Sequence, residues 1–281
     1  MQEIRTVRQI VNGQATMDGA GVKLVRKIGK KDTKDFDPFL MLDLFDSNHP
    51  ADYIKGFPWH PHRGIETITY LIAGEIEHAD SMGNKGKILA GDCQWMTAGS
   101  GIIHQEMPQP SKRLFGTQLW LNLPAKSKLV NPKYRPIIKQ DIPTIDESGN
   151  KIHIICGSYD GYQGAIEADY LEVTYLDVEL EAHSEWILES EPDHTLFICL
   201  LEGTASLPGD DCTLISEKEV ILFNKGKKFQ IKSLEQNVRF LLMQAPPLKE
   251  PIAWGGPIVM NTKQELALAF SELENNTFIK K

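Results

Sequence analysis

Nine short apolar runs rich in β-branched residues, separated by Gly, Pro, Asn and Asp, constrain this chain more than any other feature. They lie at 22–28, 65–72, 115–123, 152–156, 171–180, 195–201, 220–223, 229–231 and 238–243. Runs of this length and composition predict strands, and their close spacing predicts an antiparallel sandwich or barrel. Alternation is cleanest at 176–181, where Leu176, Val178 and Leu180 alternate with Asp177, Glu179 and Glu181. The pattern predicts one buried and one solvated face. The stretch 200–205 (LLEGTA) echoes 71–76 (LIAGEI), which suggests a duplicated strand–turn unit.

The texture changes over 126–150, where Pro132, Pro136, Pro143 and Gly149 interrupt a region with few apolar runs. It reads as a connection, giving an N-terminal domain at 1–130, a linker at 131–150 and a C-terminal domain at 151–281. The end of the chain departs from the β pattern. Thr262 with Glu265 fits a capping box, and Leu266, Phe270 and Leu273 form one helical stripe. A short C-terminal helix packed on a barrel is expected there.

Two pairs stand out against this background: His60-Pro61-His62 and His104-Gln105-Glu106. Side chains at i and i+2 of a strand point the same way, so two such strands in one sheet can converge three imidazoles and one carboxylate on a point. That donor set suits a divalent transition metal and leaves coordination positions open, an arrangement for chemistry rather than scaffolding. His153, His183 and His194 lack a second ligand at i+2 and read as hydrogen-bonded or surface groups, so the second half is expected to hold no metal.

Charge and cysteine usage narrow the setting. The net charge of −8 disfavours direct contact with nucleic acid, and the cluster Lys225, Lys227 and Lys228 reads as a solvated turn. Four cysteines without CxxC spacing favour buried thiols in a reducing compartment. The first residues lack the apolar core of a signal peptide, and no run approaches the ~20 apolar residues of a membrane span. A cytoplasmic location without membrane contact is expected.

The segments 56–67 (GFPWHPHRGIET) and 91–108 (GDCQWMTAGSGIIHQEMP) resemble the two signatures of the pirin family in the cupin superfamily. The segments 36–43 (FDPFLMLD) and 118–124 (QLWLNLP) are similar to pirin segments too. The resemblance implies an all-β fold of two stacked antiparallel cupin (jelly-roll-like) barrels, a bicupin, with the short C-terminal helix. It implies one metal in the N-terminal barrel, held by His60, His62, His104 and Glu106. It points to Fe(II), while mixed imidazole and carboxylate ligation also accommodates Mn, Co, Ni, Cu or Zn.

Glu66 shares parity with His60 and His62 and is expected to face inward behind the ligands rather than to join them. The resemblance further implies a quercetin 2,3-dioxygenase-type reaction, in which a flavonol is cleaved with O2 and carbon monoxide is released. Glu106 is the expected base for the flavonol 3-hydroxyl. Phe45, Phe57, Trp59, Trp95 and Met107 are candidates for the aromatic slot, with Trp95 better read as packing. The competing function is a non-enzymatic, iron-binding redox sensor acting through a protein partner, with a charged strip that includes Arg63 responding to the ion.

Overall fold

The computed structural model describes residues 2–208 and 212–280. Strands dominate, and Lys263–Glu274 is the one α-helix among the described residues. The chain divides into two compact units that are not contiguous in sequence. One joins the residues up to Gly13 with Gln140–Pro247; the other joins Gln14–Lys139 with Leu248 onward.

Each unit is built on a seven-stranded antiparallel sheet. In the unit carrying the histidine pairs, the order is Lys133–Ile137, Cys93–Thr97, Ile65–Ala73, Leu114–Asn122, Phe39–Ser47, Val22–Ile28 and Gln14–Asp18. The other unit repeats that plan: Val7–Val11, Val220–Phe223, Thr195–Glu202, Val238–Ala245, Thr174–Leu180, Asn150–Cys156 and Thr144–Glu147. The echo at 71–76 and 200–205 is thus the same turn in two equivalent places. Gly74 and Gly203 both carry positive φ there, at 100° and 86°. A smaller sheet completes each unit. Beside the histidine-bearing unit's large sheet it runs Phe57–His62, Ile102–Pro108, Glu75–Asp80 and Lys85–Leu89.

The expected contiguous domains, 1–130 and 151–281, give way to an exchange of ends. Residues 131–150 supply strands rather than a free linker. Lys133–Ile137 pairs with Cys93–Thr97, and Thr144–Glu147 pairs with Asn150–Cys156. The helix belongs with residues 14–139, because its buried Ala269 and half-buried Leu266 and Leu273 share a core with Ile103 as well as with Ile258, Met260 and Phe278. Its capping box forms as expected: Glu265 N donates to Thr262 Oγ1, and Thr262 N donates to Glu265.

At the other end, Arg5 is buried and donates to Ser190 Oγ and to the carbonyls of Glu191, His194 and Asn224. Burial lowers that guanidinium to about 10, with Asp193 opposing.

The alternation at 176–181 needs one correction. Asp177 is fully buried, because Arg239 on the paired strand grips its carboxylate at 3.0 and 2.6 Å. A paired charge can occupy an interior position that the pattern assigns to solvent. The lysine cluster likewise opens the strand Gly226–Ser233, and its lysines pair with Asp193, Glu3 and Glu189.

Candidate metal centre

His60, His62 and His104 come together because their strands are neighbours in the small sheet. His104 pairs opposite His60, and Ile102 opposite His62. Phe57–His62 lies at the sheet's edge, which is where Pro58 and Pro61 can sit without breaking a ladder. The pairing is interrupted between His104 and Glu106, which faces Phe57, so the edge strand carries an extra residue beside His60. Alternation along Ile102–Pro108 buries Ile102, His104, Glu106 and Pro108.

The three imidazoles offer ligand atoms within 4.8 Å of one another. Their ring centroids are 4.4 to 5.1 Å apart. Burial holds all three neutral. It lowers His60, takes His62 to about 3, and puts His104 well below the usual imidazole range, with neighbouring histidines adding to the effect at His62 and His104. Neutral imidazole is the form that binds a metal.

His60 Nδ1 lies 2.9 Å from the Pro58 carbonyl and His62 Nδ1 lies 3.0 Å from the Pro257 carbonyl. A carbonyl only accepts, so each Nδ1 carries the proton and each Nε2 keeps its lone pair. Both nitrogens of His104 are buried without a protein partner. An orphaned polar pair inside a cluster of neutral imidazoles fits a cation, which would relieve that cost.

Glu106 lies outside the group of three within 4.8 Å. Its Oε1 accepts from Thr69 Oγ1 at 2.8 Å and Gln94 Nε2 at 3.1 Å, and both side chains come from the facing large sheet. Burial raises its pKa while those two donors oppose the rise. Glu106 lines the same cavity as His60 and His62.

That cavity has a volume of about 670 Å³. Phe45 and Phe57 line it, as expected, together with Trp120 and Trp254. Trp59 is instead 54% exposed, Trp95 is fully buried, and Met107 is not part of the lining. Trp254 was not among the expected lining residues; it reaches the cavity from a hairpin, Ala253–Gly255 with Ile258–Met260, more than a hundred residues downstream. A tryptophan two residues before a Gly-Pro step was the available signal.

Glu66 is corrected. It accepts from Thr97 Oγ1 at 2.6 Å and lies 3.9 Å from Arg135, on the opposite face of its strand from Thr69. Parity does not carry across the turn at Gly64, whose φ is +78°.

Arg63 is corrected as well. It is 3% exposed, donates to the Phe278 carbonyl, pairs with Glu272 at 2.7 Å and stacks over the Phe278 ring at 4.2 Å. It fastens the C-terminal segment beside the ligand strand and forms no charged surface strip. Among the described residues no further cluster of metal-ligating groups forms. His153 bonds Thr144 and approaches Glu179, and His183 approaches Glu235.

Two family models match the chain: pirin over residues 21–121 and the pirin C-terminal cupin domain over 175–279. A Pseudomonas aeruginosa protein provisionally named quercetin 2,3-dioxygenase is 39% identical over 278 residues, with 97% of each chain covered. The crystal structure of a quercetin 2,3-dioxygenase from Acinetobacter baumannii is similar at TM-score 0.89 and 32% identity, covering 98% of both chains. An Escherichia coli bacterial pirin solved in complex with nickel(II) shares the fold at TM-score 0.66 and 19% identity, covering 85% of this chain and 99% of that one.

Proposed function

The chain belongs to the pirin family, with two cupin domains, and from that premise we propose that it is a metal-dependent dioxygenase cleaving a flavonol such as quercetin. One observation carries the reading. A neutral histidine triad, one member with both nitrogens orphaned, opens into an aromatic-walled cavity that also holds a buried carboxylate.

His60, His62, His104 and Glu106 would hold the ion, and Fe(II) is the proposed metal. A bacterial pirin of the same fold was solved in complex with nickel(II), which supports a divalent metal here. When bound, the metal supplies a Lewis acid and a template for the flavonol oxygens and dioxygen.

The chain's own groups do the rest. Phe45, Phe57, Trp120 and Trp254 present apolar walls suited to a flat aromatic substrate. Glu106, a buried carboxylate lining the cavity, takes the proton of the flavonol 3-hydroxyl. Thr69 and Gln94 hold that carboxylate in place and donate to it while it is charged. In the overall reaction one dioxygen is consumed, both its atoms enter the depside, and C3 leaves as carbon monoxide.

A reducing, cytoplasmic setting belongs to the same proposal, supported by four cysteines without a disulfide. No helix among the described residues is long and apolar enough to cross a membrane. The test is aerobic quercetin consumption with carbon monoxide detection, on protein reconstituted anaerobically with Fe(II) and on the metal-free form. Matching, iron-dependent loss of quercetin and release of carbon monoxide is expected. Iron bound without turnover would sink the dioxygenase reading.

A further inference from the structure

A metal-binding histidine needs its second ring nitrogen anchored, because that contact fixes the tautomer and the ring's orientation. His60 and His62 have carbonyl anchors at Pro58 and Pro257. His104 has none, although it is fully buried and both its nitrogens lack a partner. A metal can occupy only one of them.

The neighbouring strand, Glu75–Asp80, carries an acceptor. Asp80 pairs opposite His104, and His78 pairs opposite Glu106. His78 is 3% exposed, and its ring centroid lies 5.6 Å from that of His104 at an angle of 49°. His78 Nε2 lies 3.3 Å from Asp80 Oδ2. In the neutral ring Nε2 carries the proton, because a carboxylate only accepts, and Nδ1 is a bare acceptor. That Nδ1 is buried and has no partner of its own. An unmet acceptor and an unmet donor thus sit on two buried rings whose centroids are 5.6 Å apart.

Both outer members are held firmly. The Tyr134 ring stacks on His78 at 4.5 Å and 15°. Asp80 accepts from the backbone N–H groups of Met82 and Asn84 and from the Asn84 side chain, at 2.8 to 3.0 Å.

We propose that His78 is a positioning residue for His104. Asp80 orients His78, His78 Nδ1 receives the free N–H of His104, directly or through one water, and the other His104 nitrogen is presented to the metal. The relay rests on the metal reading above.

The probe is Co(II), titrated into metal-free protein, with affinity by competition and the visible absorption spectrum as readouts. His78→Phe keeps a ring on Tyr134 but removes the acceptor. It should weaken Co(II) binding about 10- to 100-fold and shift the absorption bands, the usual scale for an outer partner. His78→Gln, with an acceptor oxygen, should recover part of both. Wild-type affinity and spectrum in His78→Phe would overturn the relay alone. Failure of the wild type to bind Co(II) would overturn the metal site and the relay with it. A measurement on the wild type covers the case in which the variant does not fold. In the Zn(II)-loaded, 15N-labelled protein, His78 Nδ1 should be unprotonated and His104 should keep one ring N–H. A proton on His78 Nδ1 would overturn the proposal.

Discussion

The histidine triad is costly to assemble, and its cost is visible in protonation. The His62 imidazole falls to about 3 because burial penalises its charged form and His60 adds to the effect. The unfolded chain titrates near 6.5, so it binds more protons than the folded chain between about pH 6.5 and 3. Stability is therefore fully present above pH 6.5 and is lost as pH falls through that window, by about 4 kcal/mol at pH 3 from this residue alone. Urea unfolding of metal-free protein across that range should show the slope, and His62→Gln should flatten it. Equal slopes in the two proteins would remove His62 as the cause. His62→Ala should also lose more than about 100-fold in metal affinity, beyond what an outer partner costs. Iron content after dialysis checks this, and full occupancy would sink the site. Glu106→Gln should keep part of the metal while turnover falls by about 10²- to 10⁴-fold, the scale of a general base. An unchanged rate in that variant would end the catalytic role of Glu106.

Between elements, the junction after the first ligand strand is the least tolerant point. Gly64 sits at φ +78°, and a Cβ there would fall 2.0 Å from the Val259 carbonyl oxygen. That same carbonyl accepts from Lys128 Nζ at 3.0 Å, and Lys128 also donates to the Gly64 carbonyl and the Asn122 side chain. Burial lowers this ammonium to about 7, while Glu250 and Glu265 oppose the change. Its three hydrogen bonds use all the protons of the charged form, and they tie the hairpin Ala253–Met260 to the junction at Gly64. Gly64→Ala should therefore cost more than about 3 kcal/mol in urea unfolding, since both φ and space oppose it. It should also release metal, because Pro257 on that hairpin anchors His62. A stable, metal-replete Gly64→Ala protein would show that the junction is slack.

At the scale of the molecule, the exchange of ends decides which fragments can fold. The chain cut after Pro247 keeps all four proposed ligands but loses the hairpin, the helix and the anchors of His62 and Arg63. It should fail to bind metal, as judged by iron content and by near-UV circular dichroism. Residues 1–130 alone should also fail, since the large sheet would lack Lys133–Ile137 as well as the C-terminal pieces. A folded, metal-binding 1–130 fragment would restore the contiguous domain that the sequence suggested.

The sequence by itself determined the β character, the duplication, the capped helix and the two histidine pairs. Each is written in local spacing: period two for strands, an i, i+3 box for the cap, i, i+2 for ligands on one face. Only the tertiary structure decided the rest. Which unit owns each terminus depends on pairings across more than a hundred residues, such as Val7–Val11 with Val220–Phe223. The face of Glu66 depends on a turn that resets strand parity, and the burial of Arg63 and Asp177 depends on partners that no local pattern contains. The anchors of the histidines are carbonyls, and every residue has one. Their place beside Nδ1 of His60 and His62 is a matter of backbone path alone, as is the nearness of the His104 and His78 rings.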